Sequence, residues 1–160
     1  MNSSTENKGA AIKIVTENRK ARFEYVIIET FEAGIVLTGA EIKSVRADGV
    51  SLSEAYVRPE MNACYLLGAH IKPYSFSSKP DYEPTRARKL LLHKKEMETL
   101  KGRVEEEGLT VIPLKLYLKK GRAKVEIALA KGKQGPDKRQ SIKKREGQRE
   151  VSRALKERHR

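Results

Sequence analysis

The strongest pattern lies late in the chain. Leu114, Leu116 and Leu118 alternate with Lys115, Tyr117 and Lys119; Ala123, Val125, Ile127 and Leu129 alternate with Lys124, Glu126 and Ala128. A period of two puts successive side chains on opposite faces, so each run offers one apolar face to a core and one polar face to water. Lys120-Gly121 stands between the runs as a two-residue turn, and pattern and turn chemistry together predict a hairpin. Residues 24–37, EYVIIETFEAGIVL, form a long β-rich run, in which Ala33-Gly34 predicts a bulge or bend. Residues 54–58 and 63–70 form a further strand pair about Glu60-Met61-Asn62.

Helices announce themselves by their ends. Thr38-Gly39-Ala40-Glu41 fits a capping box, and Asp48-Gly49 closes the short helix it opens. Residues 93–107 place Met97, Leu100 and Val104 on one face, with Gly108 as a stop. Five or six strands with two or three inserted helices describe an all-β protein, an OB-fold-like closed β-barrel.

The pattern then breaks. All nine aromatic residues precede residue 118, and from residue 131 onward there are twelve basic and four acidic residues, a net +8. Ile142, Val151, Ala154 and Leu155 are almost the whole apolar content of that segment, too little to offset the entropy of ordering it. Val151, Ala154, Leu155 and Arg158 share one face of a latent helix. The expected organisation is a flexible N-terminus over 1–10, a barrel over 11–130 and a basic C-terminal tail over 131–160, disordered alone and helical on its partner.

With 34 Lys and Arg against 21 Asp and Glu, the net charge is +13, a field that attracts polyanions. No apolar run approaches the roughly 20 residues of a membrane span. Residues 1–9 carry no apolar signal core, and the one cysteine, Cys64, forms no internal disulfide; both suit a cytoplasmic protein. His70, His93 and His159 are far apart and lack partners at metal-ligand spacing. Cys64 lies in an apolar run as a buried thiol, and Gly39 to Ser44 lacks the second glycine of a phosphate loop. Glu29 and Glu32 read as solvated strand-face residues. The expectation is therefore no catalytic residue, no metal and no cofactor.

RNA contact has better candidates. Asn18, Arg19, Lys20 and Arg22 stand beside Phe23 and Tyr25, joining groups that neutralise phosphates and hydrogen-bond bases or sugars to aromatic ones. Residues 74–89, an aperiodic stretch with Pro80 and Pro84, end in Arg86, Arg88 and Lys89, and long connections in compact domains are usually functional. In the tail, Gly132, Gly135-Pro136 and Asp137-Lys138-Arg139 precede the helix-competent block, a pattern that a merely adhesive extension has no use for. Composition alone fits a general OB-type RNA-binding protein or RNA chaperone equally well. A nuclease lacks clustered acids, bases or ligands, and the thin apolar face of the tail argues against a membrane.

Longer blocks carry more. ENRKARFEY (17–25), FEAGIVLTGAEIKSVRADGVSLSEAYV (31–57), residues 81–133 from DYEPTRARKLLL to ALAKGK, and DKR (137–139) closely resemble the SsrA-binding protein, or SmpB, family over nearly the whole chain after residue 10. The resemblance implies an OB-like barrel with a tail, bound to the tRNA-like domain of transfer-messenger RNA (tmRNA, SsrA). It implies entry, with alanyl-charged RNA and elongation factor Tu, into ribosomes stalled on messages without a stop codon. There the tail lies in the messenger channel by the decoding centre, and trans-translation appends a degradation tag. The family's RNA-contact asparagine matches Asn18, its FEAG glutamate Glu32 and its RKLLL leucine Leu91. Glu32 is expected to fix loop geometry, because a carboxylate repels phosphate. The family's tail glycine matches Gly132 and its DKR element Asp137, Lys138 and Arg139, with Lys143, Lys144, Arg145, Arg149 and Arg153 as further ribosome-facing cations. Pro136 and Phe23 depart from it where some relatives carry histidine.

Overall fold

The computed structural model describes residues 11–75 and 82–133. Along the chain run strand β1 (Ile12–Glu17), helix α1 (Arg19–Glu24), β2 (Tyr25–Ile35), α2 (Gly39–Arg46), β3 (Val50–Ser51), β4 (Tyr56–Pro59), β5 (Cys64–Leu67), β6 (His70–Ile71), β7 (Arg88–Leu91), α3 (Lys94–Glu107), β8 (Thr110–Lys119) and β9 (Arg122–Gly132). One sheet runs β1-β8-β4-β5-β7-β2-β9, and pairing of β8 with β9 closes six of its strands into a ring. Strand β8 serves three neighbours because it offers one edge twice. It meets β4 at Val111 and β1 from Lys115 to Lys119, while β9 takes the other edge. β3 and β6 form a separate two-stranded ladder.

The expected hairpin is β8–β9. Lys119 pairs with Arg122, and the two residues between them, Lys120 (φ 52) and Gly121 (φ 75), both have the positive φ a type I′ turn requires. The capping box on α2 is complete: Thr38 Oγ1 accepts from the Glu41 N–H at 3.2 Å, and Glu41 Oε1 accepts from the Thr38 N–H at 2.9 Å. Leu100 of α3 is buried, with Met97 and Val104 packed beside it, and Gly108 ends the helix in the left-handed conformation. Residues 54–71 divide between two ladders, since β4–β5 turns through Glu60 and Ala63 but β6 leaves for β3.

Two bulges do what the alternation conceals. In β2 the register against β9 shifts between Ile27 and Glu29, not at Ala33-Gly34. In β8 it shifts between Pro113 and Lys115, so Leu114 does not join Leu116 and Leu118. An extra residue flips every side chain beyond it to the other face. Phe31, Ala33, Ile35, Leu116 and Leu118 therefore face the main core inside the ring, while Tyr25, Ile27, Ile112 and Leu114 face a second core outside it. Ala21 of α1 closes that second core over Ala128 and Ala130 of β9. Gly34 has a different task. It pairs with both Lys124 and Leu91 where β2 passes from β9 to β7, and a Cβ there would come within 3.3 Å of the Leu91 Cβ.

Candidate nucleic-acid interface

Asn18 is clamped onto the β8 bulge. Its backbone N–H donates to the Leu114 carbonyl at 2.7 Å, and its Nδ2 donates to the Pro113 carbonyl at 3.0 Å. Its Oδ1 is buried with no protein partner. Anchored by Asn18 below and Ala21 beneath, the one-and-a-half turns of α1 leave Arg19, Lys20 and Arg22 on the surface. A cleft of about 380 Å³ opens beside them, lined by Asn18, Lys20, Tyr25, Glu54 and Tyr56 among others. Neither β1 nor α1 is signalled by period or cap, which is why the sequence shows these cations without the helix that presents them.

At the far end of the ring, Glu32 lies on the outer face of β2, opposite Glu126. It accepts a hydrogen bond from the Tyr117 hydroxyl, and Lys119 Nζ lies 3.6 Å from the same oxygen, Oε2. The Tyr117 side chain is only 4% exposed. Burial, the bond to Glu32 and the charges of Glu32 and Glu126 all push its hydroxyl pKa well above the ordinary tyrosine value. Glu32, Lys119, Lys120, Arg122 and Lys124 line an open cleft of about 420 Å³ at the hairpin tip. Four cations around one carboxylate make it a seat for anions. Lys119, Lys120, Arg122 and Lys124 are not among the candidates the sequence offers. Their signal was the polar face of the hairpin together with a lysine where an I′ turn prefers Asn, Asp or Gly. Close by, Leu91 rests on Gly34 and is 55% exposed, an apolar knob beside the cationic cleft.

The basic end of residues 74–89 does not face outward as a group. Arg88 is fully buried, because the alternation of β7 turns Arg88 and Leu90 inward and leaves Lys89 and Leu91 outside. Its Nε donates to Glu41 Oε2 at 2.7 Å, its Nη1 to the Ala69 and Arg86 carbonyls, and its Nη2 to the Pro84 carbonyl and the Tyr82 hydroxyl. Arg86 adds two bonds to Glu41, one from Nε at 3.1 Å and one from Nη2. Tyr82 donates to the Ile71 carbonyl at 2.9 Å. Burial would raise the Glu41 pKa, but Arg86, the Thr38 N–H and Arg88 outweigh it and hold the carboxyl down at about 2. Arg88 is thus a structural staple rather than a surface cation, and Arg86 is largely committed to the same carboxylate.

Strand β9 continues past Ala130, so the proposed boundary at 130/131 falls inside it. Gly132 is its last residue, opposite Tyr25, and the Lys133 N–H donates to the Glu24 carbonyl at 2.9 Å. Pro136, Asp137, Lys138, Arg139, Lys143, Lys144, Arg145, Arg149 and Arg153 lie outside the described residues. Among the described residues no three His, Cys, Asp or Glu side chains converge as a metal site, and no helix is long and apolar enough to cross a membrane. Cys64 is buried, which raises its thiol pKa.

Comparison with known proteins gives one answer. The family model described as SmpB protein matches residues 15–157. An SsrA-binding protein of Trichormus variabilis is 51% identical over 151 residues, covering 94% of this chain and 97% of its own. One of Roseiflexus castenholzii is 54% identical over 149 residues, covering 92% and 94%. A solved structure described as "tmRNA-SmpB: a journey to the center of the bacterial ribosome" superimposes with a TM-score of 0.63 at 45% identity, covering 79% of this chain and 93% of its own.

Proposed function

The chain belongs to the SmpB protein family, and on that premise we propose that it binds the tRNA-like domain of transfer-messenger RNA and delivers it to stalled ribosomes for trans-translation. The observation that carries this reading is the match over nearly the full length of relatives named SsrA-binding protein, with like structure in a tmRNA-SmpB complex. The surface is in keeping with it. The cationic cleft at the hairpin tip, with Glu32 at its side and Leu91 beside it, offers phosphate seats and an apolar contact for a base or ribose. At the other end, Asn18, Arg19, Lys20 and Arg22 stand near the point where the chain leaves β9.

The work divides between those ends. The hairpin tip and Leu91 take the tRNA-like domain, together with Lys89 from the same outward face of β7. Residues beyond Gly132, with Asp137, Lys138, Arg139 and the later cations, serve the ribosome at its decoding centre and messenger channel. Alanyl-charged RNA with elongation factor Tu is the cargo complex, and the protein acts in the cytoplasm as an adaptor rather than an enzyme.

The test is binding to the isolated tRNA-like domain at physiological salt, with alanine tRNA as competitor. The full chain is compared with a chain ending at Lys133. Preference for the tRNA-like domain by both chains is the expected result. Equal binding to every RNA, falling with the charge removed, would make this a general RNA-binding protein.

A further inference from the structure

A carboxylate in a phosphate seat weakens the attraction the seat exists to provide, so Glu32 needs a geometric reason to be there. That reason is visible in what holds it. Tyr117 and Lys119 lie two residues apart on one strand face and both address Glu32 Oε2. Tyr117 is opposite Lys124 in the β8–β9 pairing, and Lys115 Nζ sits 5.7 Å from its ring centroid. Lys115 is meanwhile drawn to Glu126 at 3.4 Å. The tyrosine is therefore a buried polar post on an otherwise wet, charged face. At 4% exposure it offers no ring face on which a base could stack, and its hydroxyl is spent on Glu32.

We propose that Tyr117 is a positioning residue for the anion seat at the hairpin tip: its hydroxyl fixes the Glu32 carboxylate, which in turn holds Lys119 at the edge of the cleft that Lys120, Arg122 and Lys124 also line. This rests on the reading that the face takes RNA phosphate. Four long cations with no fixed counter-charge repel one another and sample many rotamers, each of which must be restrained when RNA arrives. A carboxylate tied by a neutral donor restrains Lys119 before RNA arrives, so less of that side chain's freedom is lost on binding. Only Lys119, whose ammonium meets Glu32 directly, is held in place. Lys120, Arg122 and Lys124 remain available to phosphate.

Tyr117→Phe, Glu32→Gln, the double variant and Lys124→Ala separate the possibilities, each in the full chain with the tRNA-like domain as probe across a range of salt. Tyr117→Phe is expected to weaken binding by up to about tenfold, reached if the whole bond to the carboxylate is expressed as positioning, and to flatten the salt slope. Glu32→Gln is expected to weaken it as well, although it removes one negative charge from the face. The double variant should be no worse than the weaker single one, since both break the same link. Lys124→Ala should lower the salt slope by about one.

Binding by Tyr117→Phe at the level of the unmodified chain, with Lys124→Ala impaired, overturns the positioning role and leaves the RNA face intact. If neither variant weakens binding, the RNA face falls and the proposal with it. If the Tyr117→Phe loss matches its loss of folded protein, and the salt slope per folded molecule is unchanged, the residue is only structural. Tighter binding by Glu32→Gln would show the carboxylate to be plain repulsion.

Discussion

Glu41 and Glu32 both stand among basic side chains, and the two surroundings could hardly differ more. At Glu41 the partners are guanidiniums. Arg86 and Arg88 close on one buried carboxylate, and Arg88 spends its remaining donors on three backbone carbonyls and the Tyr82 hydroxyl. At Glu32 the charged partner is an ammonium, the carboxylate is partly exposed, and three more cations stand round an open cleft. The planar fork of arginine can satisfy a carboxylate and several carbonyls at once, so it suits a closed centre. Lysine is a mobile point charge that can remain solvated until a phosphate displaces the water. A basic residue beside a glutamate is a staple in one place and, on the function proposed above, a binding group in the other, and burial decides which.

The sharpest way to break that contrast is Arg88→Ala. It leaves Glu41 buried with Arg86 as its one remaining cation and strips the donors from several carbonyls, at an expected cost of about 3–5 kcal/mol of folding stability by urea unfolding. RNA binding per folded molecule should be unchanged. A clear loss of affinity in the folded fraction would return Arg88 to the binding surface. Somewhat smaller is the effect of acid. The folded pKa of Glu41, about 2, lies below the unfolded value of 4.5, so the stabilisation is complete above about pH 5 and fades as the pH falls towards 2. About 3 kcal/mol should disappear over that window, and should not in Glu41→Gln, which lacks the titrating group. Equal acid sensitivity in both chains would place the titration elsewhere. Smallest is Lys120→Asn. Asparagine tolerates the positive φ of this turn position better than lysine, so the variant should gain roughly 0.5 kcal/mol while binding RNA less tightly. A residue in a strained place against stability motivates the hypothesis of a binding role, which this variant tests. Affinity unchanged in Lys120→Asn would show the lysine to be incidental.

Sequence patterning reveals some of this and hides the rest for definable reasons. The β8–β9 hairpin, the Thr38–Glu41 box and the Gly108 stop are local, so a few consecutive residues disclose them. The bulges at Ile28 and Leu114 are hidden because apolar residues continue on both sides of each. A second core outside the ring absorbs the residues that the flip displaces. Arg88 reads as a surface cation because its carboxylate lies 47 residues away, and no window spans that distance. Asn18 is a candidate from its basic and aromatic neighbours as well as from family resemblance, Glu32 and Leu91 from the resemblance alone. Their local settings, a bulge clamp, a tyrosine tie and a glycine shelf, are all long-range. Lys119, Lys120, Arg122 and Lys124 were legible in principle, since they sit on the polar face of the one hairpin the pattern makes plain.

Strand β9 is held on both edges, by β2 along one and β8 along the other, almost to the point where it ends at Gly132. Tension applied to the chain beyond Lys133 therefore loads two hydrogen-bonded ladders in shear, with many bonds sharing the force at once, rather than peeling an edge strand open one bond at a time. The chain therefore leaves the ring from a strand paired on both sides, so a pull along β9 meets two ladders rather than one.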